Sequence, residues 1–155
     1  MADDNSSLAA EAQRLAEACG AAMYDRDYAA QALGIHLAEI RPGYACMKMR
    51  VRKDMVNGHD ICHGGMTFAL ADTAFAYACN SRNQVTVASG CTIDYVTPSH
   101  LHDELTAVGI ERSLSGRVGI YDVTVSNQKG EVIAHFRGRS YRITGEVIQS
   151  LEIEL

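Results

Sequence analysis

An aspartate in the middle of an otherwise apolar helix constrains this chain more than any other feature. Residues 57–80 read NGHDICHGGMTFALADTAFAYACN, a polar loop containing glycine that empties into a long apolar stretch beginning at Gly64. On a helical wheel Gly64 to Asn80 is apolar almost all round, the mark of a helix covered on most sides. The one acid in it, Asp72, sits among Phe68, Leu70, Ala71, Ala74 and Phe75. Aspartate is a poor helix former, and an ionised carboxylate is costly to bury unless it is paired or used in chemistry. Asp72 is therefore the first candidate for a catalytic group, and the rest of the chain must supply a layer that wraps the helix.

The flanking sequence has the periods such a layer needs. From Ser7 to Met23, Leu8, Ala12, Leu15, Ala16, Cys19 and Met23 recur at helical steps, with Ser6 or Ser7 available as a cap. Tyr24 to Leu33 reads as a looser helical turn that Gly34 stops. The period then drops to two, through Ile35, Leu37 and Ile40 to a turn at Arg41, Pro42 and Gly43. In the next run, Tyr44 to Arg52, Met47, Met49 and Val51 take one face and Lys48, Arg50 and Arg52 the other. Lys53 to Cys62 has no period and is read as a loop. Beyond the apolar helix, Val85–Val96, Glu104–Arg112, Val118–Asn127 and Val132–Ile143 alternate like strands, with short turns between them that point to antiparallel hairpins. The predicted class is α+β: an antiparallel sheet wrapped around one long central helix. At 155 residues the chain is expected to form a single domain, with residues 1–33 as an N-terminal helical extension packed on it.

Several function classes are excluded as expectations. A net charge of -5 argues against a nucleic-acid partner, since phosphate backbones call for a basic face. No run reaches the 20 or so apolar residues of a membrane helix, and the acidic start MADDNSS leads into no apolar signal core. The five cysteines are odd in number and contain no CxxC pair, which reads as reduced thiols in a cytoplasmic protein. His59, Cys62 and His63, and again His100, His102 and Asp103, are metal-ligating types at short spacing. Neither set forms the paired knuckles of a structural site, so no metal or other cofactor is expected. No GK[ST] follows the glycines, so the loop is not a nucleoside-triphosphate loop.

Three groups of residues carry the chemistry. His63, Gly64 and Gly65 open the helix, where glycines let the backbone approach a ligand and unpaired N–H groups suit an oxyanion; a tight loop-to-helix turn would need the same residues. Asp72 follows Gly64 by eight positions, so the two lie roughly 12 Å apart along the axis at 1.5 Å per residue. A reacting carbonyl must be within about 3 Å of both its base or nucleophile and its oxyanion donor. The economical solution is a two-fold dimer with antiparallel helices, in which Gly64 of one subunit faces Asp72 of the other. Around this pair, Asn57 with Gly58 favours a turn, and Thr73 and Ser89 offer hydroxyls near the acid or simply bond to backbone. At a hairpin turn, Arg112, Ser113 and Arg117, with Gly116, suit phosphate groups; a solvated strand face is the plainer alternative.

The strand and helix order, with HGG at the helix start, resembles the hotdog fold and more narrowly the phenylacetyl-CoA thioesterase (PaaI-type) family. The likeness is carried by Asn57-Gly58, CHGG (Cys62 to Gly65), LADTAFAYACNS (Leu70 to Ser81), VASGCTIDY (Val87 to Tyr95), GRVGIYDV (Gly116 to Val123) and FRGRSYRI (Phe136 to Ile143). It spans roughly residues 17 to 147. The resemblance implies hydrolysis of an aryl acyl-CoA, phenylacetyl-CoA or a ring-hydroxylated relative, in aromatic-acid degradation, by homodimers that often pair into homotetramers. It also implies that Asn57 helps position the thioester or the attacking water. Two other functions fit the same fold: a hotdog enoyl-CoA hydratase and a non-catalytic acyl-CoA sensor.

Overall fold

The structure is a computed structural model that describes residues 2–149. The elements run α1 (Ala2–Arg26), α2 (Tyr28–Ala32), β1 (His36–Arg41), β2 (Tyr44–Arg50), α3 (Gly64–Asn80), β3 (Thr86–Tyr95), β4 (Glu104–Ser115), β5 (Val118–Ser126) and β6 (Val132–Arg142). The strands form one six-stranded antiparallel sheet in the order β1-β2-β4-β5-β6-β3. This is the hotdog arrangement, with α3 lying against one face of the sheet.

Alternation decides which side chains meet α3. Ala45, Met47 and Met49 of β2 are fully buried, as are Leu105 and Ala107 of β4, Val125 of β5 and Ala134 of β6. They pack with Leu70, Ala71, Ala74, Phe75, Tyr77 and Ala78 of the helix in a single core. Phe75 sits edge-on to Tyr121 at 5.5 Å and tilted against Phe136 at 5.8 Å. The helix can lie this close because two strand positions lack side chains. A Cβ on Gly109 would come within 3.2 Å of the Ala74 carbonyl oxygen, and one on Gly138 within 2.7 Å of the Phe75 ring.

The first helix is longer than the predicted Ser7 to Met23, because the hydrophobic pattern marks only the face that is buried. Ala16 and Cys19 are buried, Gly20 fits against Leu37 and Ile40, and Gln13 donates to the Ile40 carbonyl at 2.8 Å. Asp27 caps α2 through Ala30 N–H and accepts a 3.1 Å bond from the buried Tyr77 hydroxyl, tying the N-terminal segment to α3. The uneven Ile35, Leu37, Ile40 spacing has its cause in a bulge between Leu37 and Glu39.

Beside α3, two adjoining surfaces stay open among the described residues. The face of α3 turned away from the sheet carries Gly65, Ala69, Asp72, Thr73 and Ala76, none of them fully buried. Beside it runs β3, a ten-residue edge strand with one charged residue, Asp94, and neither lysine nor proline to guard its unpaired backbone.

Gly138→Ala should destabilise the protein by about 1–3 kcal/mol, because the new methyl meets the buried Phe75 ring. Gly58→Ala, where nothing lies within 4 Å of the added carbon, should change stability by less than about 0.5 kcal/mol. Urea unfolding at matched protein concentration measures both, and equal effects would contradict this packing.

Candidate active site

The loop before α3 is pinned backbone to backbone. Cys62 N–H donates to the Ser99 carbonyl at 2.8 Å and His63 N–H to the Met55 carbonyl at 2.7 Å. His63 is then the N-cap: its Nδ1 accepts from Gly65 N–H at 3.0 Å, and its carbonyl accepts from Met66 N–H at 2.9 Å. Since Nδ1 is the acceptor, the ring proton of neutral His63 is on Nε2, which has no partner among the described residues. Gly64 N–H makes no hydrogen bond among the described residues. The first turn of a seventeen-residue helix thus keeps one donor in reserve at its positive end.

Asn57 is held in a turn in which its Oδ1 accepts from His59 N–H at 2.9 Å, leaving the Nδ2 donors free of partners among the described residues. Asn57 and Gly64 line one cavity of about 410 Å³. Ile61, Val96 and Ile133 supply apolar wall, while Thr67, Tyr95 and Ser99 supply hydroxyls. The Ser99 Oγ is buried without a hydrogen-bond partner among the described residues. Tyr95 reaches in from the end of β3 and donates its hydroxyl to the Gly64 carbonyl at 2.8 Å.

Asp72 lies two turns further along α3. It forms no hydrogen bond or ion pair among the described residues, and burial pushes its carboxyl above the ordinary range. Its charge adds to burial in raising two neighbouring thiols, Cys79, pushed up to about 12, and Cys91 of β3. The carboxylate therefore faces the edge strand, on the open side of the helix. An unpaired, partly buried acid with a raised pKa is the arrangement expected of a base or nucleophile.

The other predicted residues do not gather here. Thr73 spends its hydroxyl proton on the Ala69 carbonyl at 2.7 Å. Ser89 is the extra residue of a β3 bulge; it donates to the Arg139 carbonyl at 3.1 Å and accepts from Arg139 Nε at 3.3 Å. Within one chain neither hydroxyl bonds to Asp72. Strand alternation puts Arg112, beside a bulge in β4, on the outer face of the sheet, where Asp122 takes it at 3.0 Å and Arg137 at 2.6 Å. The hydrogen bond from Arg137, helped by Arg112, holds the Asp122 carboxyl below its usual range. Ser113 and Arg117 are exposed near the β4–β5 turn, and Arg117 has no side-chain partner among the described residues. Tyr95, Thr67 and Ser99 escape a reading of the sequence, since a tyrosine in an alternating strand, a threonine inside an apolar helix and a serine beside Pro98 look like packing and turn residues. No group of three or more metal-ligating side chains occurs among the described residues, and no helix there is long and apolar enough to cross a membrane.

A family model described as the thioesterase superfamily matches residues 59–134, from the loop through α3 into β6. The acyl-coenzyme A thioesterase PaaI of Escherichia coli strain K12 is 48% identical over 126 residues, covering 81% of this chain and 90% of that protein. A putative esterase of Archaeoglobus fulgidus is 34% identical over 78% of this chain and 79% of its own length. Among solved structures, that of the Escherichia coli PaaI protein from the phenylacetic acid degradation operon superposes with a TM-score of 0.85 at 46% identity, covering 86% of this chain and 97% of that one. A mutant form of the Thermus thermophilus phenylacetic acid degradation protein PaaI gives a TM-score of 0.73 at 37% identity, over 76% of this chain and 100% of that one. The chain belongs to the thioesterase superfamily, as a hotdog-fold member of its PaaI-type family.

Proposed function

We propose that this protein is an acyl-CoA thioesterase that converts an aryl acyl-CoA of the phenylacetyl or hydroxyphenylacetyl type and water into the free acid and coenzyme A, in aromatic-acid degradation. The observation that carries the reading is the pairing of two idle groups on the open side of one helix, the Gly64 N–H and the Asp72 carboxylate. The relationship to the acyl-coenzyme A thioesterase PaaI of Escherichia coli, a protein from the phenylacetic acid degradation operon, supports this substrate class.

The Gly64 N–H, at the positive end of α3, donates to the thioester oxygen and is worth most when that oxygen gains charge in the transition state. Asp72 takes the proton of the attacking water, or attacks the carbonyl itself to give a mixed anhydride that water then opens. His63, through Nε2–H, and Asn57, through Nδ2, orient the thioester or the water. Gly65 allows close approach, and Thr73 and Ser89 offer oxygens beside the acid once a second subunit is present. With Arg112 tied to Asp122, the phosphates of coenzyme A fall to Arg117 and Ser113 at the hairpin.

Roughly 12 Å of helix between Gly64 and Asp72 keeps them from serving one carbonyl within a chain. The exposed face of α3 and the unguarded β3 edge support a homodimer, in which β3 pairs with its own copy and the two α3 helices run antiparallel. Two shared sites then form, and such dimers pair into a homotetramer. The site needs no cofactor, and the reading places the enzyme in the cytoplasm.

A thiol-release assay over a panel of aryl and alkyl acyl-CoAs tests the function, with saturated phenylacetyl-CoA excluding hydration as the reaction. Asp72→Asn should lower kcat by about 10²–10⁴-fold, while full turnover in the folded variant would sink the mechanism. An absence of thiol release from every acyl-CoA that binds would instead mark a sensor. Because burial raises the Asp72 pKa, wild-type kcat/KM should rise with pH through a carboxylate limb displaced upward from the usual aspartate range. A limb at or below that range would contradict the assignment. The same shift sets a stability sign. A carboxyl with a folded pKa above its unfolded one stabilises only while protonated and loses that contribution as pH rises through the folded value. Asp72→Asn should therefore be at least as stable as wild type at pH 7, measured by thermal unfolding.

A further inference from the structure

We propose that Tyr95 is a positioning residue for the oxyanion donor, acting through the Gly64–Gly65 peptide that it and His63 grip from opposite ends; the catalytic part of this inference rests on the thioesterase reading above. The Tyr95 hydroxyl donates to the carbonyl oxygen of that peptide at 2.8 Å, and the N–H of the same peptide donates to His63 Nδ1 at 3.0 Å. The Tyr95 ring also lies against the Gly64 Cα, so that an added Cβ would come within 3.0 Å of its Cζ and hydroxyl oxygen.

The reason for such a grip lies in the sequence. Two consecutive glycines give the first turn of α3 close access to a ligand, but they are also the least restrained residues a helix can begin with. A donor that swings loses most of its value, since catalysis by a fixed dipole depends on the dipole being in place before charge develops. Holding one amide at both its oxygen and its hydrogen fixes that peptide plane, and hydrogen bonds at the two ends of an amide strengthen each other. The free Gly64 N–H belongs to the peptide immediately before it, and the N–H of His63 is in turn held by the Met55 carbonyl at 2.7 Å. The donor is thus bracketed by restraints on both sides and is itself left unpaired among the described residues. Tyr95 has no comparable structural duty: it is 54% exposed at the end of an edge strand, yet its hydroxyl turns inward to this one carbonyl. Burial of the hydroxyl raises its pKa, which keeps the proton that the bond requires.

Tyr95→Phe keeps the ring against Gly64 and removes only the bond. The expected result is unchanged secondary structure and oligomeric state, a KM within about twofold of wild type, and a kcat lower by about 10- to 100-fold. Amide hydrogen exchange at Gly65, followed by NMR, should accelerate in the variant without acceleration across the core strands. An unchanged kcat, or a rise in KM with kcat preserved, overturns the catalytic role. Unchanged Gly65 exchange overturns the grip itself. If wild type releases no thiol from any acyl-CoA, the thioesterase reading fails, and the catalytic role of Tyr95 with it; the exchange measurement still decides the grip.

Discussion

The close approach of α3 to the sheet is the constraint on which the rest of the molecule depends. Gly109 and Gly138 leave room for the Ala74 backbone and the Phe75 ring, and the large side chains of β2, β4, β5 and β6 close over the remainder. Once the helix is seated, its rotation is fixed. Leu70, Ala71, Ala74 and Phe75 face inward, and Asp72 and Thr73 are left on the one side without a sheet. The acid is therefore neither fully solvated nor paired among the described residues, and its raised pKa is a direct consequence of where packing puts it. A core that costs one carboxylate part of its hydration stabilises the fold, and on the proposed function it readies a base in the same act.

The same seating sets the geometry of the helix start. The turn before α3 is tied to Met55 and Ser99 through backbone bonds, so the positive end of the helix opens into the cavity with Asn57 and Tyr95. The Gly64 N–H and the Asp72 carboxylate are then separated by two turns of a rigid helix. A second copy laid against the open face and the β3 edge removes this separation by symmetry, without any movement within either chain. In that arrangement the edge strand, a liability in a monomer, becomes the seam that aligns two sites.

Much of this is legible from residue order, for identifiable reasons. The buried helix shows because seventeen residues carry one charge, and its bounds at Gly64 and Asn80 follow from a polar loop on one side and a polar run on the other. The strands show through alternation, as with Met47 and Met49 against Lys48 and Arg50. What stays hidden depends on cross-strand partners. The Arg112 guanidinium reads as a phosphate group's partner, but on the outer face it meets Asp122, ten residues away in sequence and opposite Ile110 in register. Ser89 meets the same fate through the bulge in β3. Tyr95 is invisible as a site residue because its partner is a backbone carbonyl 31 residues away, and no side-chain pattern records that.

The central claim is that each site is built from Gly64 of one subunit and Asp72 of its partner. It is tested most directly by mixing two variants, Gly64→Pro, which removes the donor at a first helical position whose backbone accepts proline, and displaces the Tyr95 ring, and Asp72→Asn. Each homodimer carries the same lesion at both sites. A mixed dimer concentrates both lesions in one site and restores the other. Equal amounts exchanged at random should recover roughly a quarter of wild-type thioesterase activity. Confirmed mixed dimers no more active than the two parents would contradict the account.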